Sequence, residues 1–472
     1  MNAPMTPGPP RVHFRLPRRY SSSMVIRSVV SANVGIAPES WVRGSIVLTV
    51  TRYRGPVAIT NWAGNVTFTA ADVLRPQSTG ELQAIVARTP KLRVLGAGHS
   101  FSPVADSPAM VTLDGLPAEV EIDSARGTAR VSAGLTYGEL SRALDTRGFA
   151  LGNLASLPHI TVAGAVATGT HGSGSGNGAL ATAVAGIEMI TADGDLTTIG
   201  PGEISGAVVA LGTLGVVTGL ELTLVPAFTV RQWVFENLPR GELDARFAEI
   251  FASAYSVSVF TTWRDPGNLD QVFVKHRADD GWTAPGRWLG ARLADGQRNP
   301  VPGMPPSHTT PQGGAEGPWH ERLPHFLADF TPSAGDELQT EYLVPRDQAI
   351  AALAALDGLA PRIAELLLVC ELRTVAADDY WLSPCYGRDT AAFHFTWRKD
   401  PAAVTALLPA IEDRLAPFDP RPHWGKLFTL PAERIAASYP RMAAFRRLMA
   451  GCDPDGKFRN SFIDRVIAFD GR

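Results

Sequence analysis

The segment ASLPHITVAGAVATGTHGSGSGNG, residues 155–178, places Gly164, Gly169, Gly172, Gly174, Gly176 and Gly178 among Ser and Thr, together with His159 and His171. Such density calls for tight turns and close backbone approach. It offers many free N–H donors and small side chains, so it can wrap an anionic group. A flexible surface loop is the alternative. Against it, Val162, Ala163, Ala165, Val166 and Ala167 are small and apolar, which suits packing against a ligand. An earlier segment, RVLGAGHSFSP, ends a strand in Gly96-Ala97-Gly98 followed by His99-Ser100. Glycines after a strand allow a phosphate to approach the backbone. The spacing is not G-x-G-x-x-G, so no two-layer dinucleotide fold follows from it, and a plain structural turn stays open.

The chain has 472 residues, too many for one ordinary core, so two or three domains are expected. Forty-three basic and 46 acidic residues leave a net charge of −3, so there is no global positive field for nucleic acid or an anionic membrane. Cys370, Cys385 and Cys452 form no C-x-x-C pair, so neither a disulfide framework nor a thiolate zinc site is expected. No uninterrupted apolar stretch of about 18 residues marks a transmembrane helix.

Residues 1–57 are rich in Pro, Ser and Arg and read as a disordered or mis-called N-terminal extension. Arg18-Arg19 before Ser21 leaves export open, but Arg27 interrupts the following segment and no small-x-small cleavage site is evident. From 58 to 227 the pattern is mixed. A helix spans 81–88, a strand 91–95, hairpins join 119–122 to 129–132 and 187–191 to 196–199, and a strand covers 216–225. Thr136 and Glu139 form a capping box that opens a helix to about Arg147. From 228 to 430, strands at 230–235, 256–263, 271–275, 341–344, 367–374 and 391–398 alternate with helices at 242–254, 347–356 and 402–415. This is the pattern of an α+β domain with a large antiparallel sheet and helices on one side. Residues 285–332 show little periodicity, and so long a loop is often functional.

Two strands of this half carry chemistry. Alternation puts Glu371 and Arg373 on one face of a strand, and His394 and Thr396 on one face of another. Cys370, Leu372, Phe393, Phe395 and Trp397 occupy the opposite, apolar faces. The segment RPHWGKLF, read as a further strand, adds His423 and Lys426, and Lys is scarce: only five occur in the chain. An ordinary solvated face with a surface Lys is the competing reading.

The two glycine clusters, in this order, resemble the FAD-binding domain of the vanillyl-alcohol-oxidase (PCMH) type of flavoproteins. GAGHS matches its pyrophosphate loop, AGAVATGTHGSG its second flavin-wrapping segment, and GTLGVVTGLEL, 212–222, the strand that closes the domain. ELR at 371–373, Thr396, PHWGK, LPHFLADFTPS, WLSPCYGRDT and DPDGKFRN at 453–460 sharpen the resemblance to alditol oxidases, over the chain from about Val57 onward. The resemblance implies a two-subdomain FAD-binding domain, an α+β substrate (cap) domain and a C-terminal segment, 431–472, returning to the first. It implies that Val94, Leu95, Gly96, Ala97, Gly98, His99, Ser100, Ser156, Thr161, Gly164, Thr168, Gly169, Thr170, His171, Val217 and His423 contact FAD. His99 is then the covalent attachment point. Thr161 stands where Ser is common, which preserves the hydroxyl.

By the same resemblance Ser156, Glu371, Arg373, Thr396 and Lys426 bind a linear polyol, and Lys426, Arg373, Glu371 and His394 form the catalytic group. A polyol site needs donors and acceptors in a row, because a buried unmatched polar group costs about 1–3 kcal/mol. Glu371 accepts, Arg373 and Lys426 donate, and Ser156 and Thr396 do both. Lys426 beside Arg373 would have a lowered pKa and could act as base, while the charge of Glu371 opposes this, so the base stays open. The expected partners are a polyol and dioxygen, in a cytoplasmic monomer with no metal. A sugar-lactone oxidase or dehydrogenase of the aldonolactone type shares the His-Ser loop and a His-Trp-x-Lys segment, and is the alternative enzyme. A non-catalytic carbohydrate-binding protein is the alternative of another class, and a yellow protein would exclude it.

Overall fold

A computed structural model describes residues 12–15, 58–328 and 335–467 of the chain. The described part of the first half builds three sheets, one parallel, one large antiparallel and one of two short strands. Strand β1 (Val12–Arg15) lies at one edge, and β2 (Val73–Leu74) precedes helix α1 (Thr79–Arg88). The Ser78 side chain accepts from the Glu81 N–H at 3.2 Å and caps α1. Leu82, Ile85 and Val86, at helical spacing, bury its inner face. β3 (Arg93–Val94) and β4 (Met110–Val111) then join β2 in a parallel sheet ordered β2-β4-β3.

β5 (Glu119–Asp123) and β6 (Thr128–Ser132) form the first expected hairpin. The capping box of Thr136 and Glu139 starts α2 (Tyr137–Asp145), two residues shorter than expected. β7 (Phe149–Ala150) leads to the glycine-rich segment, of which only α3 (Val162–Ala167) is helical. β8 (Val184–Ile190) and β9 (Leu196–Ile199) form the second hairpin, turning at Gly194 with φ +93°. β10 (Val216–Thr223) closes a six-stranded antiparallel sheet ordered β1-β5-β6-β10-β8-β9, and β11 (Val225–Pro226) pairs with β7.

The leader is corrected in part. Val12–Arg15 pairs antiparallel with Glu119–Ile122, with Arg15 Nε on Glu119 at 3.0 Å, so this piece is an edge strand and not an unstructured extension. The remainder of 1–57, including Arg18-Arg19, lies outside the described residues.

The second half is dominated by one antiparallel sheet. Its elements are β12 (Thr229–Pro239), α4 (Arg240–Ala252), β13 (Ser256–Thr261), β14 (Asn268–Arg277), β15 (Arg287–Trp288), β16 (Ala291–Leu293), β17 (Gly317–Pro318) and β18 (Glu337–Pro345). There follow α5 (Ala349–Asp357), α6 (Ala360–Leu366), β19 (Leu367–Val375), β20 (Thr390–Arg398), α7 (Pro401–Leu415) and β21 (Arg421–Pro422). The order is β15-β16-β12-β14-β13-β19-β20-β18-β21, with β17 also on β12. Phe393, Phe395, Trp397 and Leu372 share one core with Leu353, Leu356, Leu407 and Ile411 of α5 and α7. The Tyr342 hydroxyl donates to Glu412 of α7 at 2.8 Å. The helices therefore cover the apolar face and leave the polar face of β13, β19, β20 and β18 toward the first half.

α8 (Ala432–Ser438), α9 (Met442–Cys452) and α10 (Ser461–Ile467) complete the chain. Between α9 and α10 the segment DPDGKFRN reaches back to the first half. Asn460 Nδ2 donates to the carbonyls of Pro103 at 3.1 Å and Asp106 at 2.8 Å. Lys457 Nζ donates to Ala192 at 2.6 Å and to the Val86 carbonyl. Buried Arg93 donates to the carbonyls of Phe458 and Leu211. No helix among the described residues is long and apolar enough to cross a membrane.

Candidate active site

Register brings the two polar strand faces together. Glu371 of β19 stands opposite His394 of β20, and Val369 opposite Thr396. β18, on the other side of β20, sets Glu341 opposite His394 and Gln339 opposite Thr396. RPHWGKLF is a strand only at Arg421–Pro422, which corrects the expectation of a longer one. Beyond it the backbone turns, with Lys426 N–H on the His423 carbonyl at 3.0 Å. The turn is anchored to β18 at both ends, by His423 N–H on Glu341 O at 3.0 Å and Leu427 N–H on Gln339 O at 2.9 Å. This anchoring carries Lys426 over Glu341.

The charged groups form one connected set. Lys426 Nζ donates to Glu341 Oε2 at 2.6 Å and to His394 Nδ1. Arg373 also pairs with Glu341, and its Nε lies 3.6 Å from Glu371 Oε2. His394 Nε2 lies 3.2 Å from Thr396 Oγ1, and His171 Nε2 lies 3.3 Å from Glu341 Oε1. Glu341 is wholly buried, and Glu371 and Arg373 nearly so.

Burial alone would raise both carboxyls, but the cations override it. Lys426 and then Arg373 hold Glu341 well below the usual carboxylate range, and Arg373 and then His325 do the same for Glu371. Burial lowers Lys426 to about 8 against the pull of Glu341. Burial, and then Lys426, lower His394 to about 4, so it is neutral near pH 7.

The glycine segments meet this set from the other side. Phe101 N–H donates to Gly425 O at 2.7 Å and Ser102 Oγ to Trp424 O at 2.7 Å, tying the GAGHS turn to the turn that carries Lys426. Gly174 N–H donates to Thr374 O at 2.9 Å, docking the second glycine segment on β19. Between the two segments, Thr161 Oγ1 lies so near Gly96 and Gly164 that a Cβ there would come within 2.4 and 2.7 Å. Neither position has room for a side chain beside Thr161, so both segments run as bare glycine backbone there, whose N–H groups suit the phosphates of a cofactor. His99 packs against Trp62 with ring centroids 5.0 Å apart, and burial, then His159, lower it to about 4.

The other expected cofactor residues lie within the glycine segments or in the core beside them. Thr168 Oγ1 bonds Gly164 O at 3.0 Å and faces Thr170 Oγ1 at 3.2 Å, while His171 and His423 sit with ring centroids 6.1 Å apart. Leu95 is buried, and Val94 and Val217 pack against the core under α1. Gly98 and Gly169 take positive φ, and Ala97 and Ser100 complete the first turn. Ser156 enters the network through its main-chain carbonyl, which accepts from His325 N–H at 3.2 Å.

Three charged or polar residues were not expected here. Glu341 holds Arg373 and Lys426, and His325 Nε2 lies 2.9 Å from Glu371 Oε1. Buried Lys275 reaches His325 at 3.3 Å. The signals were a Glu on the same face of a strand as Glu337 and Gln339, and a rare Lys inside the apolar run VFVKHR. His325 sits in the irregular stretch 285–332, where no periodicity assigns it a face.

Known proteins supply the lineage. Residues 70–200 match a family model described as an FAD binding domain, and residues 336–466 match one described as D-arabinono-1,4-lactone oxidase. Alditol oxidase of Streptomyces sp. is 52% identical over 87% of this chain and 99% of its own length. The chain belongs to the alditol oxidase family. Family members of this kind are FAD-dependent oxidoreductases of CH–OH donors, and FAD is the cofactor here. L-gulono-1,4-lactone dehydrogenase of Mycobacterium tuberculosis is a distant relative, 26% identical over 86% of this chain and 98% of its length. Cholesterol oxidase of B. sterolicum shares the fold, with a TM-score of 0.70 at 13% identity over 87% of this chain and 96% of that one. The expected fold, two-subdomain FAD-binding domain plus antiparallel cap, is the one observed.

Proposed function

We propose that the chain oxidises the terminal primary alcohol of a linear polyol, such as xylitol or sorbitol, to the aldose. The carrying observation is the row of Glu371, Arg373, Thr396 and Lys426 beside the turn joined to the GAGHS segment. A neutral, hydroxyl-rich chain is matched by such alternating acceptors and donors. Held by the GAGHS and AGAVATGTHGSG segments, FAD would supply a two-electron hydride acceptor, with dioxygen, reduced to hydrogen peroxide, as the terminal oxidant. His99 is read as its covalent attachment point, and a neutral imidazole there retains a nucleophilic lone pair.

The protein's part is to hold one hydroxyl and take its proton. As a neutral amine, Lys426 has two N–H bonds, and Glu341 Oε2 and His394 Nδ1 accept both. The lone pair is then left for the substrate hydroxyl. A pKa of about 8 suits a general base. Arg373 supplies a fixed positive charge for the developing alkoxide, and Glu371 accepts from a neighbouring hydroxyl. Lys426 Nζ donates to His394 Nδ1, so His394 carries its hydrogen on Nε2 and donates to Thr396, freeing the Thr396 hydrogen for substrate. Ser156 completes the row. On this reading 58–227 is the flavin domain, 228–430 the cap and 431–472 the segment that ties the two.

The lactone-oxidase description of the model matched by residues 336–466 supports an aldonolactone as the second reading. Anaerobic flavin reduction by xylitol, sorbitol and aldonolactones, followed by peroxide detection in air, separates them. Faster reduction by a lactone than by any polyol would overturn the first reading.

A further inference from the structure

Lys275, His325 and Glu371 repeat the arrangement of Lys426, His394 and Thr396. In each, a buried ammonium reaches the Nδ1 of a histidine whose Nε2 meets a substrate-facing oxygen. We propose that Lys275 and His325 are positioning residues that keep Glu371 an ionised, oriented acceptor for a substrate hydroxyl. The inference rests on the reading of Glu371 as a polyol ligand.

Lys275 Nζ donates to the carbonyls of Leu323 at 2.5 Å and Pro324 at 3.3 Å, and reaches His325 Nδ1 at 3.3 Å. A charged lysine has no lone pair and can only donate, so Nδ1 must accept. The ring hydrogen then sits on Nε2 and is donated to Glu371 Oε1 across 2.9 Å. Oε1 is thereby engaged, and Oε2, the oxygen 3.6 Å from Arg373 Nε, remains for substrate. The imidazole is clamped edge-on by Phe260 and Phe273, with centroids 5.5 and 5.4 Å away, and its backbone N–H is on Ser156 O. One histidine thus joins two of the proposed polyol contacts.

The lysine has a second effect. The charged groups facing His325 are Lys275 from β14 and Glu371 and Arg373 from β19. A carboxylate beside an imidazole favours imidazolium, which would neutralise the acceptor. Burial and then the Lys275 charge oppose this and lower His325 to about 4. Lys275, which burial lowers to about 7, is charged throughout the acid range where this protection matters.

The test uses FAD-loaded holoenzyme, with anaerobic reduction by xylitol from pH 5 to 9 and 15N shifts of labelled histidine. In the wild type the His325 signal, assigned by its loss in His325→Gln, should be that of a neutral Nε2–H ring at pH 6. In Lys275→Met it should titrate above pH 6, and the xylitol Kd should rise at least tenfold below that point. His325→Leu should lose about 10²-fold in reduction rate over Kd, the usual scale for an orienting partner. His325→Gln should recover at least tenfold of that, since an amide can accept from Lys275 and donate to Glu371. If His325→Leu does not fold, the Lys275→Met profile decides alone. Glu371→Gln is run in parallel: wild-type xylitol affinity there would remove the polyol reading itself. An impaired Glu371→Gln beside an unchanged Lys275→Met profile would overturn only the present inference.

Discussion

Lys426 Nζ donates to Glu341 Oε2 across 2.6 Å, and Glu341 has no exposed side-chain surface. This contact adds to the influence expected from sequence, the charge of Glu371, which also holds Lys426 up. Burial lowers Lys426 to about 8, and Glu341 is the largest influence holding it up. If Lys426 is the base, flavin reduction should rise with pH through about 8, because the amine must be neutral to accept a proton. Replacing Glu341 by Gln removes the charge that favours the ammonium, so the rise should move down by about one pH unit or more. Stopped-flow reduction by xylitol across pH 5–10 reads both. A rise that stays in place in Glu341→Gln would mean that Lys426 does not control it.

Lys426→Met should leave FAD bound, abolish the rise with pH, and lower reduction at least ~10²-fold above pH 8, the usual scale for a positioned acid–base group, with the deficit shrinking at acid pH. The flavin spectrum serves as the check on folding.

FAD should remain with the polypeptide after acid precipitation, and His99→Ala should release it into the supernatant. His99 closes the GAGHS turn and is lowered to about 4, so its ring is neutral at the pH of flavin incorporation. A colourless wild-type pellet would rule out the bond.

Much of this was legible from local pattern. The capping box of Thr136 and Glu139, the hairpins at 119–132 and 187–199, and the shared faces of Glu371/Arg373 and His394/Thr396 depend on neighbours in sequence, and each is present. What was hidden depends on which strands become neighbours. Glu341 matters because β18 pairs with β20, and β18 is 45 residues or more from it in the chain. His325 matters because an irregular stretch crosses to β19, and no period of 2 or 3.6 encodes that path. The N-terminal strand was missed because β1 is only four residues long and is separated from the recognisable domain by a long Pro- and Ser-rich leader.

The C-terminal tie should matter for stability more than for chemistry. Lys457 Nζ serves the buried Val86 carbonyl and the part-buried Ala192 carbonyl, and Lys457→Met leaves both short of a donor. A loss of about 1–3 kcal/mol is expected, with reduction kinetics preserved at low temperature. Thermal unfolding of the holoenzyme, followed by flavin fluorescence, measures it. An unchanged midpoint would mean that water replaces the lysine without loss.

Arg373 is the strictest test of the proposed row. Its guanidinium is buried between Glu341 and Glu371, and Nε has no hydrogen-bond partner of its own. A buried cation held by two carboxylates and left with an unused donor is costly unless something else uses it. The developing alkoxide of a bound polyol is such a group. Arg373→Ala should therefore keep the flavin spectrum yet lower reduction by xylitol at least ~10²-fold. Part of that loss will come from Glu341 and Glu371, which lose their shared cation and rise toward protonation, so the defect should deepen at acid pH. Thr396→Ala should be milder, because one neutral hydrogen bond is worth about 0.5–1.5 kcal/mol, roughly tenfold at most in rate or affinity. Anaerobic stopped-flow isolates these effects from the reaction with dioxygen. Wild-type rates and affinities in Arg373→Ala would make this strand face structural, held by ion pairs that serve the fold and not the substrate.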